Sequence, residues 1–286
     1  MNPFCEKVIM PDQQFKIKIL ITSSFEHVME VHPHWHDEVE ILYVSNGTAI
    51  QQVNDRFFPI VPGDLVVISS GQLHSTYSNQ GSKCDIFVLL FDASSVLDKF
   101  ELVGKQTPSC SFNNSILFNN PIKTVNEPEK QLLDCLLQIR KELVIRERAY
   151  DHCIKSLLYK MLVVLERNDL YKINKNDYRK NVIIRQMLEK TFNLIDASYF
   201  EDVSLKKAAA VSNLSVQHFC RLFKKTTGMT FNDYLSFYRV NRAEKLLHSQ
   251  KKITEIALEC GFGSMSSFIR NFKKYKNCTP SGYKNL

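Results

Sequence analysis

Nothing in the 286 residues forms an uninterrupted apolar run long enough to cross a bilayer. The N-terminus, MNPFCEKVIMPDQQ, has an early acid and no apolar stretch ending in small residues. No signal peptide is expected, and the expected address is the cytoplasm. The eight cysteines are scattered, at Cys5, Cys84, Cys110, Cys135, Cys153, Cys220, Cys260 and Cys278, with no C-x-x-C pair. That spacing argues against a zinc ribbon and for reduced, mostly buried thiols. Tryptophan occurs once, and no separate acid–base pair that would serve catalysis can be read from the sequence.

What remains is an ordinary globular composition, 44% hydrophobic and 23% charged, in a chain whose length suits two domains. Charge is unevenly distributed. Residues 177–286 hold 19 Lys and Arg against 9 Asp and Glu, whereas residues 1–176 hold 18 against 21. A basic module joined to a slightly acidic one points to a nucleic-acid-binding half, although a solvated basic face would give the same count.

Residues 15 to 95 are strand-like. FKIKILI, EVEILYVSNG, AIQQVNDRFFPI, GDLVVISS and KCDIFVLLF alternate or run apolar, separated by turn signals at Asn46-Gly47, Asn54-Asp55 and Pro62-Gly63-Asp64. Short strands at such intervals predict an all-β sandwich or barrel. From 128 to 168 the period becomes helical, with a start at Glu127-Pro128-Glu129. Leu132, Leu133, Leu136, Leu137, Ile139 and Leu143 form one stripe, and Ile154, Leu157, Leu158, Met161, Leu162 and Leu165 a second. Two such helices meeting near Tyr150-Asp151 predict an antiparallel hairpin, whose apolar face serves either the core or a dimer. The polar stretch NDLYKINKNDYRKN then predicts an interdomain linker. The expected domains are 1–125, 126–168 for the hairpin, 169–181 for the linker and 182–286.

The last segment repeats itself. SLKKAAAVSNLSVQHFCRLFKKTTGMTFNDY at 204–234 aligns with KITEIALECGFGSMSSFIRNFKKYKNCTPSGY at 252–283. Each copy reads as a short helix, a turn, a serine cap (Ser215 or Ser264) and a second helix. Phe219, Leu222 and Phe223, or Phe268 and Phe272, fall on one face of that second helix. Gln217, Arg221 and Lys224, or Ser266, Arg270 and Lys273, fall on the other. This is the layout of a helix-turn-helix, whose second helix enters the DNA major groove. Residues 231–248 between the copies predict one continuous helix that would space the two readers about one DNA turn apart, roughly 34 Å.

At this point the sequence resembles a known family. Residues 182–286 are similar to the DNA-binding domain of AraC/XylS-type bacterial regulators. The likeness rests on Leu205 with Ala208–Ala210, Ser215, Phe223-Lys224-Lys225, Gly228, Arg239 with Ala243, Leu246 and Leu247, Ile256-Ala257, Gly261-Phe262, Ser267-Phe268, Phe272-Lys273-Lys274 and Thr279-Pro280 before Tyr283. Cys278 stands where the family usually has glycine, and Lys284 where it has arginine. The resemblance implies base contacts by Gln217, Cys220, Arg221, Met265, Ser266, Ile269 and Arg270. Arg can donate twice to guanine, Gln can pair with adenine, and Ile can touch a thymine methyl. A structural ion pair is the competing role for Arg221 and Arg270. Phosphate contacts are expected from Lys224, Lys225, Lys273 and Lys274, with Ser215 and Ser264 at the helix starts.

In the first half, HPHWHDEVE places His32, His34 and His36 with Asp37, Glu38 and Glu40 around Trp35. His34-x-His36-x3-Glu40-x6-Gly47, followed by Gly63-x5-Ser69-x-Gly71-x2-His74, resembles the two motifs of the cupin β-barrel, with serine replacing the usual proline. Strand period two puts His34, His36 and Glu40 on one face. In metal cupins the matching His34, His36, Glu40 and His74 would bind one divalent ion (Zn, Mn, Fe or Ni). In regulatory barrels the same residues line an effector pocket without metal, here with Trp35 nearby. Trp35 either stacks on a sugar or fills the core, and alternation favours the barrel's outside.

The expected fold is thus a two-domain chain: an N-terminal all-β cupin-like barrel with a helical hairpin, and a C-terminal all-α double helix-turn-helix. The expected function is a non-enzymatic, dimeric transcription regulator, an activator that contacts promoter DNA and RNA polymerase under control of a small molecule such as a sugar. The rivals are a metal-dependent cupin enzyme fused to a DNA-binding module, and a constitutive regulator whose barrel only dimerises.

Overall fold

A computed structural model of the chain describes residues 8–12, 14–23, 30–78, 84–96, 116–173 and 175–284. Two compact units part between Ile183 and Ile184. The first contains β1 (Ile17–Ser23), β2 (Glu30–His34), β3 (Val39–Asn46), β4 (Ala49–Val53), β5 (Arg56–Ile60), β6 (Asp64–Ile68), β7 (His74–Ser78), β8 (Asp85–Phe91), a short α1 (Ala93–Val96), β9 (Ile116–Phe118), β10 (Ile122–Lys123), α2 (Lys130–Ile145), α3 (Tyr150–Arg167) and β11 (Tyr171–Ile173).

The strands pair in a five-stranded sheet, β1-β8-β3-β6-β10, a four-stranded sheet, β2-β7-β4-β5, and the pair β9-β11. Why β6 and β8 read as unbroken apolar runs follows from what covers each face. Leu65, Val67, Phe87, Leu89 and Phe91 share a core with Leu132, Leu136 and Ile139 of α2 and with Ile154, Leu158 and Met161 of α3. The alternate residues Val66, Ile68, Ile86, Val88 and Leu90 meet Ala49, Val53 and Ile60 of the four-stranded sheet. With both faces buried, alternation disappears and continuous hydrophobicity takes its place.

The helical hairpin is therefore part of the first unit's core and not a separate module. Its link is Arg146–Ala149, and α3 begins at Tyr150, where the sequence had suggested the joint. Of the predicted stripe, Leu132, Leu136 and Ile139 are buried, but Leu137 is 44% exposed.

The expected linker at 169–181 is a correction. Tyr171–Ile173 pairs antiparallel with Ile116–Phe118, and α4 starts at Lys175. Polar composition reports solvent contact, and a helix satisfies its own backbone groups without burial. A three-residue strand is too short to show a period.

The second unit is all helical: α4 (Lys175–Ser198), α5 (Leu205–Val211), α6 (Val216–Thr227), α7 (Phe231–Leu247), α8 (Ile253–Glu259), α9 (Met265–Lys276) and α10 (Pro280–Lys284). The pairs α5–α6 and α8–α9 are the two repeat copies, joined by one uninterrupted α7. Each second helix starts on a serine: Ser215 Oγ accepts from His218 N at 3.3 Å, and Ser264 Oγ from Ser267 N at 3.2 Å.

Both second helices end on a left-handed residue, Gly228 (φ 74°) and Asn277 (φ 58°). These two positions correspond in the repeat, so Asn277, not Cys278, occupies the glycine site; asparagine tolerates this conformation better than most side chains. Lys284 does the work of a capping donor, reaching the carbonyls of Ser249 at 3.1 Å and Lys251 at 2.7 Å.

Candidate functional sites: a buried histidine cluster and two exposed helices

Helix α4 holds the helical unit together. Thr191 and Ser212 hydroxyls lie 2.7 Å apart, and Ser212 also donates to the Met187 carbonyl. Phe192 packs edge-on against Phe223 and near Tyr234. Asp196 accepts from Arg242 at 2.5 Å and from the Tyr238 hydroxyl, while Arg239 donates to the carbonyls of Tyr199 and Glu201 at 2.7 Å each. These partners stand about forty residues apart in sequence, so no local pattern revealed them.

With that frame set, α6 buries Phe219 and Phe223, and α9 buries Phe268 and Phe272. Removing each ring from water is worth roughly 1.5–3 kcal/mol, which locks one face of each helix inward. The opposite faces stay open. Gln217, Arg221, Lys224 and Lys225 on α6 are exposed, as are Ser266, Ile269, Arg270, Lys273 and Lys274 on α9. Cys220 and Met265 are half-buried, and Met265 packs against the core of the second copy. The capping serines are exposed too. Lys274 is held by Asp233, 2.7 Å away.

In the first unit four side chains meet that are far apart in sequence. His34 closes β2 directly opposite His74, the first residue of β7. Glu40 projects from β3, between β6 and β8. His36 lies in the β2–β3 connection, where its carbonyl accepts from Gly71 N at 2.8 Å. Gly71 has φ 72°, a turn conformation that suits glycine. One ligating atom from each of His34, His36, Glu40 and His74 falls within 4.8 Å of all the others. All four residues are buried.

Their hydrogen bonds define protons. The His36 Nδ1 is 3.0 Å from the Glu38 carbonyl, and the His74 Nδ1 is 2.8 Å from the Gln72 carbonyl. A carbonyl only accepts, so both Nδ1 atoms carry hydrogen and both Nε2 atoms face inward. His36 Nε2 lies 2.9 Å from Glu40 Oε2. His74 Nε2 lies 3.3 Å from the same oxygen, within ion-pair distance but outside hydrogen-bonding geometry, so it is a buried nitrogen with no hydrogen-bond partner among the described residues. Burial alone would raise the Glu40 carboxyl; the charge of His74 and the hydrogen bond with His36 outweigh it and hold the group well below the usual carboxylate range.

Three imidazoles and one carboxylate form a donor set suited to a borderline divalent ion, with histidines oriented through backbone carbonyls as metal ligands commonly are. The residues present therefore fit the ion that the cupin motifs imply. Trp35, between two of them, is 1% exposed. The predicted position on the outside of the barrel does not make it a surface residue.

Gln72 was not singled out from sequence. Its side-chain amide donates to the Ile116 carbonyl at 3.0 Å, its Oε1 accepts from Ser69 N, and the Ser69 hydroxyl also reaches Ile116 O. The serine that replaces the motif proline thus fastens the turn before His74 to β9. Ile116 in turn pairs with Ile173, two residues before α4 begins.

Comparison with known proteins agrees with both halves. A model described as an AraC-like ligand binding domain matches residues 26–162, and one described as a helix-turn-helix domain matches residues 208–285. The chain is 29% identical to an uncharacterized HTH-type transcriptional regulator, YdeC, of Bacillus subtilis strain 168, over 88% of this chain and 86% of that protein. It is 26% identical to the HTH-type transcriptional activator RhaR of Mannheimia succiniciproducens, over 92% and 91%. Among solved structures, ToxT from Vibrio cholerae O395 aligns over 96% of this chain and 98% of its own, with 16% identity and a TM-score of 0.43. No helix among the described residues is long and apolar enough to cross a membrane.

Proposed function

The chain belongs to the AraC family of transcriptional regulators, with a ligand-binding and a DNA-binding domain, and on that premise we propose that it is an effector-controlled activator whose helices α6 and α9 read promoter DNA. One observation carries the reading. Two repeat-related helices each bury a phenylalanine pair and turn an uncharged-polar and cationic face outward, Gln217 with Arg221 and Ser266 with Arg270. Such a face supplies base-edge donors, and the neighbouring Lys224, Lys225 and Lys273 supply phosphate contacts.

Control is assigned to the barrel. Beside its apolar core it buries a set of polar side chains, among them His34, His36, Glu40 and His74 with Gln51, Gln52, Ser75 and Thr76, and convergent polar groups next to an apolar core support a small-molecule site. A ligand rich in hydroxyl or carboxylate oxygens, such as a sugar, suits these donors. A divalent ion held by the four residues would add Lewis-acid attraction for such oxygens. Binding shifts the DNA-binding population only as far as the effector prefers one arrangement of the chain over another. The tie from His74 through Gln72 to β9, and from β9 to β11, supports a route toward α4.

Pairing with a second copy and contact with RNA polymerase complete the proposal. The exposed Leu137, Val144, Ile145 and Val163 of the hairpin support the first. The test is to map bound promoters in cells, then assay promoter binding by the purified protein against metabolites that the adjacent genes handle. His36→Ala should abolish the response, and no metabolite should be turned over. Promoter binding that no metabolite changes would overturn effector control, and turnover of one would favour an enzyme.

A further inference from the structure

Strand β1 turns one cation toward the space between the two sheets. Ile17 and Ile19 pack into the core beneath α2 and α3, whereas Leu20 packs on the core between the sheets. Side chains alternate along a strand, so Lys18 shares the face of Leu20. The register puts it in one row with the acid of that face: Lys18 pairs with Leu90, and Leu90 pairs on its other side with Glu40. Two strand spacings set the Cα atoms of Lys18 and Glu40 about 10 Å apart on a single wall.

An inward lysine normally has a counter-ion. Here the carboxylates on that side are engaged elsewhere. Glu40 is held by His36 and His74 at 2.9 and 3.3 Å, and Asp92, just past β8, by Lys16 at 3.1 Å. The Lys18 ammonium has no hydrogen bond or ion pair among the described residues, and the residue is half-buried. Its charge is therefore uncompensated there and open to an anion arriving from solvent.

The facing sheet offers groups that bind hydroxyls. Thr76 stands opposite Gln51 and His74 opposite Val53, so Thr76 and Gln51 share the inward face on which Ala49 and Val53 join the core. Gln51 Oε1 accepts from the Thr76 hydroxyl at 2.7 Å, and the Gln51 amide donates to the Gln52 carbonyl at 3.1 Å. A side-chain amide has two N–H donors and a hydroxyl oxygen two lone pairs. One donor of Gln51 and the acceptor side of Thr76 are thus left unused among the described residues.

We infer that the effector is a polyhydroxy acid, with Lys18 anchoring its carboxylate and the Gln51–Thr76 pair binding a hydroxyl from the opposite wall. The inference rests on the barrel being the effector site and adds the charge of the molecule that fills it. Facing sheets lie about 10 Å apart, a gap that a sugar-sized acid bridges between a lysine and a glutamine side chain. A neutral sugar would leave the ammonium unpaired.

The experiment is isothermal titration calorimetry on the purified full chain. The probes are sodium D-gluconate, D-glucuronate and D-galacturonate, each compared with the neutral D-glucose or D-galactose. At least one acid should bind wild type about ten- to a hundredfold more tightly than its neutral counterpart, the span of a hydrogen bond to a charged group. Lys18→Met should lose that margin and leave neutral-sugar binding unchanged, and Lys18→Arg should keep most of it. Should Lys18→Met fail to fold, the wild-type comparison of acid with neutral sugar decides by itself.

Beta-strand β1 has a neighbour only on its β8 side among the described residues, and an inward lysine also blunts an edge strand against association. A lysine confined to that task would leave acid binding by Lys18→Met equal to wild type, which would overturn the inference. Tight binding of neutral sugars alone would overturn it too, while effector control by the barrel stands. Binding of no probe would overturn both the inference and the sugar-like assignment of the effector.

Discussion

Lys274 Nζ lies 2.7 Å from Asp233 Oδ1, joining the end of α9 to the first turn of α7. The same aspartate accepts from the Thr230 hydroxyl, and its carbonyl accepts from the Tyr275 hydroxyl at 3.0 Å. Lys274 is thus engaged within the protein, whereas the sequence had placed it beside Lys273 as an equal phosphate contact. Lys273→Ala should reduce the slope of log affinity against log salt by about one. Lys274→Ala should change that slope less and cost about 0.2–1 kcal/mol of stability, the range for an exposed pair. Salt titrations of promoter binding by the two variants decide this; equal slopes would restore their equivalence.

Asp233 also sets a pH dependence. The hydrogen bond from Lys274, then that from Thr230, lowers its carboxyl below the ordinary value. A group depressed in the folded state adds stability above its unfolded pKa of about 3.9, and that stability is lost as pH falls through the folded value. The stability gap between wild type and Asp233→Asn should be flat from neutral pH to about pH 5 and close below pH 4. Urea unfolding at several pH values checks it, and a gap that widens in acid would contradict the assignment.

Arg270 and Lys273 occupy the same exposed helix but offer different chemistry. A guanidinium can bond a guanine edge at two points, whereas an ammonium acts as a point charge on phosphate. Arg270→Ala should cost about 1–3 kcal/mol on the true operator and relax discrimination at one base position. Lys273→Ala should weaken all sequences alike. A panel of single-base operator variants distinguishes the two, and matching profiles would show the roles to be wrongly divided.

Gly261 carries a backbone demand that Gly263 does not. At φ 78°, a Cβ on Gly261 would sit 2.7 Å from the Tyr199 carbonyl oxygen and 2.8 Å from Phe200 Cα, both backbone atoms just beyond α4. Gly263 has nothing within 4 Å. Gly261→Ala should destabilise the helical unit by about 1–3 kcal/mol or more, since strain and overlap combine. Gly263→Ala should fall within about 0.5 kcal/mol of wild type. Chemical unfolding followed by circular dichroism measures both.

The helical unit was largely legible from sequence because its information is local. Phenylalanines four residues apart, serines one residue ahead of a helix and a small residue at each turn act within a few residues of themselves. A duplicated pattern states them twice. The barrel's strands were legible where they are long and apolar, as in β3, β6 and β8; β9, β10 and β11 have only two or three residues each and left no period. The same shortness, with a polar but helical α4, made a strand and helix look like a linker.

The histidine cluster lies between these cases. The resemblance to the cupin motifs implied the set His34, His36, Glu40 and His74, and strand period by itself grouped only the first three. The antiparallel pairing of β2 with β7 alone set His34 opposite His74, and two backbone carbonyls alone decided which ring nitrogens face Glu40. Proton positions of that kind arise from contacts across the sheets, which a linear order of residues does not contain. By itself the amino-acid order determined which side chains could do the chemistry; the tertiary fold decided where their lone pairs point.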